Sequence, residues 1–138
     1  GIWVGIMTAP IIPGLTDHEI SDLLDAAVEA GAQFAGYNIV HLPYGTKELF
    51  VDWLETNFPD RADKVVNRIK AMRGGKLNDP RFGFRMRGEG IFAEQIQQMY
   101  KAAKRKTGLD HKPRYELSTE HFKVPGSVVQ PGLFDGLN

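Results

Sequence analysis

Arg73, Lys76, Arg81, Arg85 and Arg87 place five cations in one short stretch, with Phe82 and Phe84 between them among glycines. Guanidinium forks match phosphate oxygens in pairs, and aromatic rings offer stacking surfaces to unpaired bases. The chemistry that suits this pattern is therefore recognition of single-stranded or damaged nucleic acid. The same composition also suits an ordered loop whose arginines pair with distant acids and whose phenylalanines plug a core. The four histidines, His18, His41, His111 and His121, lack the i,i+3 or i,i+4 pairing of a ligand set, so no metal site is expected. With no cysteine, the chain cannot form disulfides or hold a metal through thiolates. No Gly-x-Gly-x-x-Gly follows a strand, and no Ser-His-Asp spacing argues for nucleophilic catalysis, so no catalytic residue is assigned.

Charge is segregated along the chain although its net value is zero. Residues 1–60 carry one base against nine acids, and residues 61–114 carry fifteen bases against five acids. Such a split can create a field for phosphates, draw the two halves together, or simply give solvated faces. Lys101, Lys104, Arg105 and Lys106 suit the carboxyl end of a helix dipole.

Two strand–loop features must position these groups. Ile2 to Met7 reads as a buried strand ended by Pro10, and Pro13-Gly14 is turn chemistry. Thr16 and Glu19 have capping-box spacing. A first helix over 17–30 puts Ile20, Leu23, Leu24, Ala27 and Val28 on one face, and Gly31 ends it. Residues 34–42 form a second strand, closed by Pro43, with Asn38 and His41 its polar members. This strand–helix–strand order fits a parallel crossover, in which the loop after a strand's carboxyl end is the usual ligand position. A helix over 46–57 carries a Leu49, Phe50, Trp53, Leu54 stripe to Pro59. Asp60 can cap a second, with Ala62, Val65, Val66, Ile69 and Met72 inward. Residues 91–106 form the last, with Phe92, Ile96, Met99, Tyr100 and Ala103 inward.

The expected class is α/β. A partial barrel-type βαβ unit over 1–43 precedes a helical extension over 44–108, with an Arg/Gly-rich loop at 74–90, and an irregular tail over 109–138. Two parallel strands are too few for an independent sheet. The chain also opens directly on apolar strand residues, so the expectation is the tail end of a larger α/β protein. Alone, it should form a homo-oligomer to hide its strand edges. No apolar run approaches the ~20 residues of a membrane span, and nothing resembles a signal peptide, so a cytoplasmic setting is expected with no membrane partner.

Several blocks carry a family resemblance. They are Ala9-Pro10-Ile11-Ile12-Pro13-Gly14-Leu15-Thr16-Asp17-His18-Glu19, Met72-Arg73-Gly74-Gly75, Asp79-Pro80-Arg81-Phe82-Gly83 and Arg85-Met86-Arg87-Gly88. Together the chain resembles the C-terminal part of radical S-adenosylmethionine proteins of the DNA repair photolyase group, related to spore photoproduct lyase. The resemblance implies late barrel strands followed by the family's extension. It also implies that Ala9, Pro10, Ile11, His41 and Leu42 lie near the cofactor's adenosine, held by backbone and apolar groups. A [4Fe–4S] cluster and S-adenosylmethionine are implied for the full-length parent. The family's Cys-x3-Cys-x2-Cys motif is absent here, so no cofactor is expected on this chain alone. Gln130, Leu133 and Phe134 resemble the short peptide by which bacterial repair proteins dock on the sliding clamp, with Pro131 an unusual second residue. The alternative reading is therefore a non-catalytic nucleic-acid or clamp-binding module.

Overall fold

The computed structural model describes residues 2–111 and 118–125. Strands β1 (Gly5–Ile11) and β2 (Phe34–Ile39) pair in parallel, joined through a 3-10 turn over Asp17–Glu19 and helix α1 (Ile20–Glu29). Helices α2 (Thr46–Asn57), α3 (Pro59–Ala71) and α4 (Ile91–Lys106) follow. This is an α/β arrangement with a helical extension. Among the described residues no helix is long and apolar enough to cross a membrane.

The register pairs Ile6 with Ala35, Thr8 with Tyr37, and Ile11 with Ile39. These six residues lie on the core side, with Thr8, Ile11 and Ile39 buried and the others packed against the core. Side chains alternate along a strand, so Gly5, Met7, Phe34 and Gly36 fall on the opposite face. There Met7 is 60% and Phe34 44% exposed. The sheet is covered on one side only. On the covered side the Tyr37 and Tyr100 rings lie 4.4 Å apart, and Tyr100 Oη donates to the Gly36 carbonyl at 2.7 Å. Leu24, Leu54, Val65, Ile69, Met72, Ile96 and Leu109 complete one continuous core.

Several local expectations are corrected. Pro10 does not end β1. The strand runs to Ile11, with an irregular register between Thr8 and Ile11, and the Val40 amide donates to the Ile11 carbonyl at 2.9 Å. Pro10 cannot donate to a ladder, which suits the interruption rather than a stop. The capping box of Thr16 and Glu19 does not form: Thr16 makes no side-chain cap bond, because its hydroxyl is taken by a loop amide. Thr16 Oγ1 accepts from the Ile12 amide, and Asp17 accepts from the Gly14 amide, each at 2.9 Å. Asp60 lies inside the first turn of α3, which Pro59 opens at a position where a missing amide proton costs nothing. Helix α2 buries Leu54, with Lys47, Phe50 and Val51 half-buried beside it, while Leu49 and Trp53 lie exposed. Met99 is likewise exposed on α4. Leu109, assigned to the irregular tail, is buried through the turn that ends α4.

Candidate functional site

The carboxyl ends of the strands are closed by the Arg/Gly loop, and two contacts fix it there. The Ile39 amide donates to the Met86 carbonyl at 2.8 Å, so the loop occupies the end of β2's outer edge. The Glu89 amide donates to the Met72 carbonyl at 2.9 Å, tying the loop's far end to the end of α3. Gly88 makes that approach possible. Its φ is +71°, and a Cβ there would stand 3.0 Å from Met72 Cε and 3.3 Å from the Met72 carbonyl oxygen. Beneath the loop, Arg73 ties the end of α3 to the end of β2, its Nη2 donating to the Val40 carbonyl.

The five basic residues of this stretch play different parts. Arg73 is 2% exposed, so it is a core group and not available to a polymer phosphate as a surface contact. Its Nη1 is buried without a hydrogen-bond partner. Arg81 is consumed within the loop, its guanidinium on Asp79 through Nε and Nη2 and on Glu89 at 2.8 Å, stacked over Phe84. Those bonds from Arg81 hold the Asp79 carboxyl down at about 2. Arg85, half-buried, lies over the Phe82 ring with its guanidinium carbon 5.4 Å from the centroid. Arg87 and Lys76 are exposed. The loop's phenylalanines plug no core, since Phe82 is 87% exposed. Nor, among the described residues, do the loop's ion pairs reach the acidic first half, because Arg81 pairs with Asp79 and Glu89. The links between halves are instead Arg68 to Asp17 at 3.1 Å and Lys106 to Asp25 at 2.5 Å.

The five residues of the strand ends also separate. Ala9 and Pro10 are exposed, and His41 is half-buried. Ile11 and Leu42 are buried in the core, so their side chains face away from any ligand at this end. Alternation along the chain ends with β2 at Ile39, and packing beneath the loop then decides which groups turn inward. The pKa of His41 is lowered by burial, then by the Arg73 and Arg85 charges. Both guanidiniums therefore act on this imidazole. A cleft of about 290 Å³ including Tyr37, Arg87, Gly88, Glu89 and Glu94 has its one cation set against two carboxylates.

Among the described residues there is no group of three histidine or carboxylate side chains able to hold a metal ion. Gln130, Leu133 and Phe134 lie outside the described residues. No family model, curated protein or solved structure matches this chain.

The role of Arg73 was hidden by reading it as one of a basic run. Its spacing carries the signal, because it lies four residues after Ile69 and eight after Val65, on the same apolar stripe.

Proposed function

We propose that this chain is the C-terminal portion of a radical S-adenosylmethionine protein of the DNA repair photolyase group, contributing late strands of a parallel barrel and the extension that closes over it. The observation that supports this reading is the uncovered face of the β1–β2 pair. Parallel sheets are normally covered on both faces, and here one lies open with small residues Gly5 and Gly36 beside exposed Met7 and Phe34. In a barrel that face would turn inward, with Ala9, Pro10 and His41 at its mouth and Ile11 and Leu42 anchoring the strand ends from behind.

The cluster does not fit the residues present. A [4Fe–4S] centre needs thiolates, and the chain has none, so no step of its chemistry is assigned to these residues. The test is to extend the gene upstream, reconstitute the longer protein with iron and sulfide, and measure reductive cleavage of S-adenosylmethionine. A three-cysteine motif and cleavage support the proposal; an upstream sequence without the motif refutes it.

One observation favours the non-catalytic alternative. Exposed Phe82 under Arg85, with Arg87 and Lys76 nearby in sequence, is a stacking surface flanked by cations. Retention of single-stranded DNA should fall on reversing the charges of Arg85 and Arg87, and unchanged retention would remove this reading. Leu133→Ala with Phe134→Ala tests the clamp peptide in the same way, by loss of clamp binding.

A further inference from the structure

We propose that Arg73, His41 and Arg85 form a receptor for one oxyanion, the phosphate or carboxylate of a small ligand, at the carboxyl end of β2. The buried guanidinium is the central observation. Arg73 has one terminal nitrogen on the Val40 carbonyl and the other, Nη1, buried with no hydrogen-bond partner. A buried charged donor left unmade is costly, and an anion is the partner that would satisfy both its charge and its proton. The backbone brings the other two groups to the same end. His41 follows the residue that accepts from Arg73, and Arg85 precedes Met86, whose carbonyl accepts from Ile39. Both guanidiniums also act electrostatically on the imidazole.

The neighbouring acids do not cancel this field. Asp79 is the carboxylate that acts on Arg73, and it is already gripped by Arg81, which also binds Glu89. With His41 neutral, three arginines face two carboxylates, and a single negative charge would complete the balance. The carboxyl end of parallel strands is also where α/β folds place their ligands. The receptor does not depend on the barrel reading, and failure of one leaves the other standing.

Sodium phosphate and, separately, sodium acetate are titrated into the 138-residue chain, following the His41 ring proton by NMR and the unfolding temperature by calorimetry. The expected result is a saturable shift of the His41 signal, a rise in its apparent pKa as the anion offsets the two guanidiniums, and an unfolding temperature that climbs with anion concentration. A response to phosphate identifies a phosphorylated ligand and a response to acetate alone a carboxylate, and either supports the receptor. Arg85→Gln should weaken the anion about tenfold, and Arg73→Met should abolish the shift. Lys101→Gln with Lys104→Gln, on α4, should leave it unchanged. The proposal is overturned if His41 shows no saturable change with either anion, or if the Arg85→Gln and Arg73→Met responses match the parent. Should Arg73→Met fail to fold, the His41 titration and Arg85→Gln decide the matter alone.

Discussion

Arg73→Met separates a receptor from a structural strut by its effect on stability in the absence of any anion. Methionine fills much of the arginine's volume without its charge. The substitution removes the bond from Nη2 to the Val40 carbonyl, worth about 1.5–3 kcal/mol for a charged donor. It also removes the buried donor Nη1, whose unmade bond costs about 1–3 kcal/mol. These terms oppose one another at similar size, so the net change should lie within about 1 kcal/mol of zero. Arg73→Ala has no such compensation, since it adds a cavity beneath the loop and should cost about 2–5 kcal/mol. Urea unfolding monitored by tryptophan fluorescence and circular dichroism measures both, provided the denaturant slope stays constant between variants. A loss above about 3 kcal/mol for Arg73→Met would rule out an unsatisfied Nη1, because it would mean that the guanidinium already has its full set of partners.

Three further outcomes follow from the geometry. Tyr100→Phe removes the bond from α4 to the Gly36 carbonyl and should cost about 1 kcal/mol, lowering the unfolding temperature by about 3 °C in a calorimetric scan. Asp79, held at about 2 against an ordinary 3.8, should stabilise the loop fully above pH 3.8 and lose that contribution as pH falls through 2. Asp79→Asn should accordingly speed tryptic cleavage at Arg81, Arg85 and Arg87 at neutral pH while leaving α1 intact by mass mapping. The pKa of His41 lies below its unfolded 6.5, so its neutral form is favoured by folding. Stability should be full above pH 6.5 and decline as pH drops from there toward the folded value, and His41→Gln should flatten that part of the pH–stability curve.

The elements themselves were legible because periodicity and punctuation agreed. Ile91–Lys106 is bounded as its spacing and Gly108 indicate, and the strand–helix–strand order appears as expected, although β1 runs through Pro10 to Ile11 and β2 stops at Ile39. Side-chain direction was less legible where tertiary packing chose between neighbours. In α2 the stripe through Leu49, Phe50, Trp53 and Leu54 and the one through Lys47, Phe50, Val51 and Leu54 are both helical, and burial selects the second, with Lys47 and Val51 beside Leu77. Trp53 then meets Phe50 and Phe58 at the surface instead, with ring centroids 5.9 and 5.3 Å away.

The basic loop shows the same limit at the candidate site. Five cations of similar chemistry read as one patch, yet burial, internal pairing and stacking give them different roles. Arg81 uses its guanidinium to hold the loop closed, with the Met86 carbonyl on the Ile39 amide and Arg85 within electrostatic reach of His41. Arg73 is drawn inward because the apolar stripe of α3 passes through its position, leaving a charge in the core that the protein only half satisfies. A helix face that admits a cation and then withholds one partner makes the core itself the recognising surface. The exposed arginines can then hold the lid without being the receptor. Loss of Arg81 should therefore loosen the loop and weaken an anion indirectly, whereas loss of Arg73 should remove the anion with the loop still shut. Amide exchange at Ile39 and Glu89 distinguishes the two, being fast in Arg81→Gln and slow in Arg73→Met. Slow exchange in both variants would mean that Arg81 is not what holds the lid.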